Sequence, residues 1–381
     1  MAGTSDHPHG RAETAVTDTT DEEGTMRRRV LGSSGMLVTE FTLGAMTFGA
    51  ETPEDDTHAI LDAFVAGGGD TIDCADVYAE GRSEEYVGRW MASRGNRDDV
   101  VLMTKGRFPV GADAGPNGFG LSRRHLTRAL DASLRRLGTD HIDLYQVHAW
   151  DPLTPPEQWL QTLDAFVRSG KVREIGVSNL NGWQLQRAIM LARQEGLAPI
   201  VSLQPQYNLL AREVEWELVD LCELEGLGLL PWSPLGGGWL TGKYRREVVA
   251  ASGSDVPTGA TRLGEDPGRG VESWYKRNDD RVHAIVDEVV AIADARGNTP
   301  SQVALAWVNH RRTVASTILG VRTVAQLEDN LGAVGLELSA EETARLDAVS
   351  APELPDYPYG FLSRASERRR EALGDPAGSD G

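Results

Sequence analysis

The sequence has little cysteine, little lysine and no long apolar run. Its two cysteines, Cys74 and Cys222, are 148 positions apart, which leaves neither a CxxC metal spacing nor a disulfide framework. No apolar run approaches the roughly 20 residues that span a bilayer, and the first 25 residues lack the apolar segment of a signal peptide. A formal net charge of -19 disfavours nucleic-acid and anionic-membrane partners. We therefore expect a cytosolic protein that binds a small molecule and neither of those partners.

Apolar runs of four to eight residues alternate with helical patterns from about residue 41 to residue 335. This alternation is typical of repeated βα units around a parallel sheet. At 381 residues, one such domain can hold a single large core. The runs predict eight strands, at residues 41–46, 70–74, 99–104, 142–147, 172–177, 200–204, 227–232 and 314–319.

The segments between these strands carry helix start and stop signals. Thr-Pro pairs at 52–53, 154–155 and 299–300 each predict a capping threonine followed by a proline in the first turn. Glu157 and Gln302 stand three residues after their threonines, as a capping box requires. Four glycines stand where helices should end: Gly67, Gly138, Gly170 and Gly196.

Eight strands with intervening helices predict an α/β fold, a single-domain (β/α)8 TIM barrel, rather than a doubly wound sheet. No GxGxxG follows the first strand, and the glycine run at 236–238 follows the seventh, the wrong place for a Rossmann phosphate turn. We predict a disordered acidic tail at 1–25, the barrel at 26–349, and a C-terminal tail at 350–381 near the active-site face.

Four polar residues fall at successive strand ends, where a barrel builds its site: Asp73, Lys105, His148 and Asn179. Long connections at 106–121 and 233–278, with the C-terminal tail, should wall a substrate pocket at the same face. Sequence offers no clustered metal ligands and no GxSxG there, so hydrolase and lyase readings have little support.

Tyr78, Lys105, Asp73 and His148 together suit the protonation of a carbonyl oxygen. Lys105 is one of only four lysines and ends an apolar strand, so its charge needs a partner, which Asp73 can supply. An ammonium beside Tyr78 would move the phenol pKa toward the working range, and a neutral His148 would orient the substrate oxygen. Taken singly, the tyrosine and the histidine are more often structural residues. No side chain donates a hydride, so a cofactor must.

The chain resembles the aldo-keto reductase superfamily over about residues 28–349. The resembling segments are 28–49, 71–88, 139–158, 170–179, 204–210, 232–244 and 318–333. The resemblance implies a barrel that binds NADPH without a Rossmann domain. It also implies that Tyr78 is the general acid/base, with Asp73, Lys105 and His148 as its partners.

The resemblance also implies where NADPH binds. Ser178, Asn179 and Gln204 match residues that hold the nicotinamide amide, and Trp232 matches a ring that stacks on it. A helix start with an arginine suits a 2′-phosphate, which favours NADPH over NADH. The full predicted cofactor set is Met46, Asp73, Ser178, Asn179, Gln204, Trp232, Ser233, Pro234, Leu235, Gly236, Gly238, Lys243, Gly320, Arg322, Gln326, Asp329 and Asn330.

The substrate is less defined by sequence than the cofactor. We predict NADPH-dependent reduction of an aldehyde or ketone, and the polar loop 245–278 leans toward a sugar or keto sugar. Two alternatives stay open: the reverse NADP-dependent alcohol or sugar dehydrogenase, and a non-catalytic NADP-binding regulatory subunit like the potassium-channel β-subunits. The oligomeric state is not predicted. Residues predicted to touch substrate are Phe48, Tyr78, Phe108, His148 and Trp150, with Trp239 and Tyr275 as further rim aromatics.

Overall fold

The computed structural model describes residues 26–362, in which eight parallel strands form a (β/α)8 barrel. An antiparallel hairpin of β1 (Arg28–Val30) and β2 (Leu37–Thr39) comes first. The barrel strands are β3 (Phe41–Gly44), β4 (Thr71–Asp73), β5 (Val101–Gly106), β6 (Ile142–Val147), β7 (Val172–Ser178), β8 (Ile200–Gln204), β9 (Gly228–Leu229) and β10 (Thr317–Gly320). The eight predicted strands and the predicted fold class are confirmed.

Each barrel strand pairs in parallel with the next along the chain, and β10 pairs with β3. The barrel closes between β9 and the segment before β10. There Leu229 bridges Val314, and the Ile318 amide donates to the Pro231 carbonyl over 3.0 Å. Closure removes the open edges that the eight-stranded sheet would otherwise present.

Helices cover the outside of the barrel. Their bounds are α1 (Glu54–Ala66), α2 (Arg82–Arg94), α3 (Arg123–Leu137), α4 (Pro156–Arg168), α5 (Gly182–Glu195), α6 (Leu218–Glu225), α7 (Arg246–Ala251), α8 (Arg262–Glu265), α9 (Trp274–Arg277), α10 (Asp280–Arg296), α11 (Pro300–Asn309), α12 (Val324–Leu331) and α13 (Ala340–Ser350). Within residues 26–362, none of these helices is long and apolar enough to cross a membrane.

The predicted helix caps are confirmed only in part. Thr299 caps α11 with the expected capping box from Gln302. The predictions for Thr52 and Thr154 are wrong, because the following prolines occupy the N-cap positions of α1 and α4. The Thr154 hydroxyl lies outside the helix and donates to Asp151 over 2.6 Å. Among the predicted stops, Gly67, Gly138 and Gly196 are C-caps, whereas Ser169 caps α4 one residue before Gly170.

Two hydrophobic clusters hold the barrel. The larger lies between the sheet and the helices, and the smaller contains inward-facing residues such as Met103, Leu144 and Val201, which pack with Leu31 and Val38 of the hairpin. Gly32 lies so close to the start of β8 that a Cβ atom would stand 2.2 Å from the Val201 carbonyl oxygen. The hairpin therefore seals the amino-terminal end of the barrel.

The strand register brings the carboxyl ends to one level. Gly44 pairs with both Asp73 and Gly320, Lys105 pairs with Gln146, and Ser178 pairs with Gln204. Because parallel strands end at the same edge, these residues form a ring at the face opposite the hairpin. This ring is the base of the candidate site.

The C-terminal tail is described as far as residue 362. The Tyr359 ring lies 5.5 Å from the Trp216 ring, and its hydroxyl donates to Glu217, so this part of the tail packs against the connection after β8. The predicted acidic tail at 1–25 and residues 363–381 lie outside the described residues.

Candidate active site

A cavity of about 550 Å³ opens at the carboxyl ends of the strands. Its volume lies within the range of small-molecule sites. Tyr78, His148 and all but one of the predicted cofactor residues line it: Met46, Asp73, Ser178, Asn179, Gln204, Trp232, Ser233, Pro234, Leu235, Gly238, Lys243, Gly320, Arg322, Gln326, Asp329 and Asn330. The exception is Gly236, which is buried behind the lining, while its neighbour Gly237 faces the cavity.

Lys105 lies fully buried beneath the cavity and joins Asp73 to Tyr78. Its Nζ donates to Asp73 Oδ2 over 2.6 Å, to the Cys74 carbonyl over 2.8 Å and to the Tyr78 hydroxyl over 3.2 Å. These three acceptors account for the three protons of an ammonium. The sequence-predicted group is thus assembled, with the phenol within hydrogen-bond distance of the amine.

Burial and charge act in opposite directions on this group. Burial raises the pKa of Tyr78 above its usual range, and the charge of Lys105 offsets only part of that rise. The sequence-based expectation of a net downward shift is therefore wrong for the chain alone. Burial alone would lower the pKa of Lys105, but the Asp73 carboxylate and the Tyr78 oxygen raise it overall. The phenol stays protonated and the amine stays charged at neutral pH.

His148 follows β6 and stands between two aromatic rings. Its ring lies 5.9 Å from that of Tyr78 and 4.9 Å from that of Phe108, both edge-on. Burial, with the nearby charges of Lys105 and Arg107, lowers the pKa of His148 to about 2, so the imidazole is neutral. Its Nδ1 is buried and has no hydrogen-bond partner among the described residues.

Two glutamines hold the other side of Asp73. Gln146 and Gln204 donate to Asp73 Oδ1 over 3.3 and 3.1 Å, so each carboxylate oxygen has a fixed partner. Sequence analysis named Gln204 but missed Gln146, a polar residue one position before the end of an apolar strand. Its place near the carboxyl end of a strand, where site residues of a barrel collect, was the signal that could have identified it.

Asn179 joins β7 to the neighbouring strand ends. It adopts a left-handed conformation, with φ of 56°, which asparagine tolerates better than most residues. Its amide donates to the His148 carbonyl and to Ser178 Oγ, both over 2.9 Å, and its Oδ1 accepts from the Trp232 indole over 3.1 Å. This network fixes the wall on which both Asn179 and Trp232 face the cavity.

Three successive glycines form a turn after β9, and two of them, Gly237 and Gly238, line the lip of the cavity. Gly236, Gly237 and Gly238 all adopt left-handed φ angles, of 57°, 64° and 98°. A Cβ on Gly238 would stand 2.7 Å from Lys243 Nζ. Only glycine suits such a run, which lets a ligand approach the backbone closely.

Three cations meet at the far end of the cavity from Tyr78. Lys243, Arg262 and Arg322 line it, and burial, together with the charges of Arg322 and Arg262, lowers the pKa of Lys243. Arg262 Nε is buried without a hydrogen-bond partner among the described residues. Sequence analysis did not single out Arg262, which starts α8 within the polar loop 245–278. The arrangement suits an anionic ligand.

Acidic residues balance these cations. Glu51, before α1, contacts Arg269 and lies 3.5 Å from Arg322 Nη1. Because the loop and the first βα connection are more than 200 positions apart, sequence spacing could not predict this pairing. The ion pairs tie the loop across this end of the cavity.

The start of α12 supports Arg322. Thr323 caps the helix by accepting from the Gln326 amide, and the Gln326 side chain accepts from the Arg322 amide over 2.9 Å. Asp329 and Asn330 lie one turn further and also face the cavity.

A buried carboxyl lies behind the turn that carries Tyr78. Asp76 is fully buried, its amide donates to the Lys105 carbonyl over 3.1 Å, and neither carboxylate oxygen has a partner among the described residues. Burial, reinforced by the nearby Glu84, raises its pKa to about 8. Glu84 itself bonds Thr104 and Arg136, so it does not satisfy Asp76.

None of the five predicted substrate-side aromatics beyond Tyr78 and His148 lines the cavity. Phe48 and Trp239 are fully buried in the core, and Tyr275 is 72% exposed. Phe108 and Trp150 are half-buried, and the Phe108 ring lies edge-on to that of His148. The predicted substrate contact of Phe48 is therefore not supported by its position.

Comparison with known proteins adds a family and several relatives. The model of the Aldo/keto reductase family matches residues 40–351. Protein tas of Escherichia coli is 36% identical over 347 residues, covering 83% of this chain and 95% of its own length. Norsolorinic acid reductase of Aspergillus flavus is 32% identical, and the match covers 88% of this chain and 83% of the relative. Versiconal hemiacetal acetate reductase of Aspergillus parasiticus is also 32% identical, and the match covers 85% of this chain and 96% of the relative.

Proposed function

The chain belongs to the aldo/keto reductase family and is an oxidoreductase, and from this premise we propose that it reduces an aldehyde or ketone to the alcohol with NADPH. The observation that carries the proposal is the 3.2 Å contact between Lys105 and the Tyr78 hydroxyl at the base of the cavity. The cytosol is the proposed compartment.

Tyr78 is proposed as the proton donor to the carbonyl oxygen. Its raised pKa keeps the phenol protonated at neutral pH before the reaction. Lys105 would stabilise the phenolate that forms when the proton is transferred to the carbonyl oxygen. Asp73 keeps Lys105 charged and fixed. The neutral His148 can donate a hydrogen bond that orients the substrate oxygen beside Tyr78.

The cavity fits a nicotinamide dinucleotide phosphate. Its glycine lip at 236–238 exposes backbone, and Lys243, Arg262 and Arg322 would hold phosphate groups. Ser178, Asn179 and Gln204 would hold the amide of the nicotinamide, close to Asp73 and Tyr78. When bound, NADPH supplies the hydride that the side chains cannot.

The proposal is tested by measuring NADPH consumption with a panel of aldehydes, ketones and keto sugars. The panel includes the sugars that the polar loop 245–278 suggested. Turnover that disappears in Tyr78→Phe supports it. NADPH binding without oxidation on any substrate would instead favour a regulatory, non-catalytic subunit.

A further inference from the structure

The turn that begins at Tyr78 has an unusual backbone. Ala79, Glu80 and Gly81 follow the tyrosine with φ angles of 48°, 60° and 95°, so three successive residues are left-handed. Only the last of them is a glycine, and the left-handed conformation costs free energy for a residue that has a Cβ atom. Such a turn persists only where the surrounding structure holds it.

Arg136 of α3 lies against this turn and is itself tightly held. A Cβ on Gly81 would stand 2.8 Å from Arg136 Cδ. A Cβ on Gly88 of α2 would stand 2.5 Å from the Arg136 carbonyl oxygen, so the two helices are in close contact at this residue. Glu84 of α2 fixes the arginine side chain, because it accepts from Arg136 Nε over 2.7 Å and from the Thr104 hydroxyl over 2.6 Å.

Asp76 places a second carboxyl in the same buried layer. It stands two residues before Tyr78 and is fully buried, and its amide donates to the Lys105 carbonyl over 3.1 Å. Neither of its carboxylate oxygens has a partner among the described residues. The titratable and charged groups that act on it from the neighbouring elements are Glu84 of α2, Arg136 of α3, Lys105 of β5 and Tyr145 of β6.

The nearby cations cannot serve two ionised carboxylates. Arg136 already contacts Glu84 through Nε and Nη2, over 2.7 and 2.6 Å. Lys105 donates to Asp73, to the Cys74 carbonyl and to Tyr78, which uses its three protons. An ionised Asp76 would therefore be a buried charge that competes with Glu84 for Arg136. Burial, together with the charge of Glu84, accordingly raises the pKa of Asp76 to about 8.

We propose that Asp76 is a positioning residue for Tyr78, which as an uncharged acid leaves Arg136 with Glu84 and so keeps the left-handed turn in place. The inference rests on the proposed function, because it concerns the orientation of the proposed proton donor. When Asp76 loses its proton, Arg136 is drawn away from Glu84, the turn loses its support, and the Tyr78 hydroxyl moves away from Lys105. Proton transfer is then slowed, whereas cofactor binding is not, since Asp76 does not line the cavity.

Single-turnover kinetics measure the step that depends on Tyr78. The chain loaded with NADPH is mixed with benzaldehyde between about pH 6 and about pH 9.5, and the decay of NADPH absorbance gives the rate of hydride transfer. In the unmodified chain this rate should fall above about pH 8, approaching tenfold per pH unit, while the half-saturating benzaldehyde concentration changes little. In Asp76→Asn, whose amide cannot ionise, the fall should be absent.

Glu174→Gln is the matched control, because burial also raises the pKa of Glu174, which lies on β7 and does not line the cavity. It should show the same fall as the unmodified chain. A rate that stays flat across this range in the unmodified chain, or a fall that persists in Asp76→Asn, would overturn the proposal.

Nuclear magnetic resonance separates this inference from the proposed function, because it needs no turnover. The eight tyrosines are labelled with ¹³C at Cζ, and Tyr78→Phe identifies the Tyr78 signal. Because burial raises the pKa of Tyr78 above its usual range, its own ionisation does not contribute near pH 8. A Tyr78 signal that shifts with a midpoint near pH 8 in the unmodified chain, and not in Asp76→Asn, supports the proposal even if benzaldehyde is not reduced. A signal that is constant across this range, or that shifts equally in both forms, refutes it even if benzaldehyde is reduced.

Discussion

The two ends of the cavity are built from different side-chain chemistry. At one end Lys243, Arg262 and Arg322 converge, while at the other the rings of Tyr78, His148 and Trp232 line the wall. Charges act over distance and favour a ligand with fixed phosphates, whereas rings act through contact area and accept ligands of varied size. Under the proposed function, the cofactor phosphates and the substrate would therefore be recognised by different kinds of side chain.

The ends are also held together in different ways. Glu51 and Arg322 lie far apart in sequence and are joined through their charges, which salt can screen where they are exposed. The ring end rests on Asn179, whose hydrogen bonds join neighbouring strand ends. We therefore expect high salt to weaken cofactor binding more than substrate binding.

Tyr78→Phe should have the largest effect, since Tyr78 is the proposed proton donor at the end opposite the cations. Removing the hydroxyl should lower kcat about 10³-fold, the usual scale of general acid catalysis, while binding at either end is nearly unchanged. Stopped-flow kinetics and NADPH fluorescence titration measure both quantities. Tyr275→Phe, at an exposed tyrosine, serves as control. Activity within a few-fold of the unmodified chain would contradict the assignment.

Arg322→Ala probes the cationic end next. Loss of a charge-assisted hydrogen bond should raise the Kd of NADPH about 10- to 100-fold, and that of NADH less than about threefold, because NADH lacks the 2′-phosphate. Arg345→Ala, which removes a surface pair with Glu288, is the matched control. An equal loss for both dinucleotides would show that Arg322 does not read the 2′-phosphate.

Arg262→Met tests a second cation at the same end of the cavity. Arg262 Cδ lies beside Gly237 of the glycine lip, about where the pyrophosphate is proposed to cross. Because both dinucleotides carry a pyrophosphate, we expect Kd to rise about tenfold for NADPH and NADH alike. Isothermal titration with both compounds measures this, and a selective loss of NADPH would move Arg262 to the 2′-phosphate.

Asp76→Asn changes a residue outside the cavity lining, and it acts on stability rather than on binding. In the folded chain Asp76 has a pKa of about 8, above the usual value of 3.8, so folding retains a proton that the unfolded chain releases. Stability is therefore lost as pH rises from about 4 to 8, by up to about 1.4 kcal/mol per pH unit. Urea unfolding at pH 5 and pH 8 should show a smaller loss for the asparagine variant. Equal losses would show that Asp76 is ionised in the fold.

The sequence predicted the framework of the site better than its charged end. Lys105 and Asn179 were identifiable because polar residues at the ends of apolar strands must meet at one edge of a parallel sheet. Arg262 and Glu51 were not, since their meeting depends on how a long loop folds across the barrel.

Helix starts show the limit of local rules. Thr299 and Thr154 precede prolines in the same way, yet only Thr299 caps its helix. Before α4 the helix begins one residue later, because Pro155 takes the N-cap position and the Thr154 hydroxyl donates to Asp151 instead. The same Thr-Pro pair therefore starts a helix at two different positions, and the local sequence does not distinguish them.

The hairpin packed against the start of β8 closes the amino-terminal end of the barrel, with Gly32 against the Val201 backbone. Among the described residues, the cavity therefore opens toward the carboxyl ends of the strands. In the proposed reaction the carbonyl compound and its alcohol would use this one opening, so the product must leave before the next substrate molecule enters.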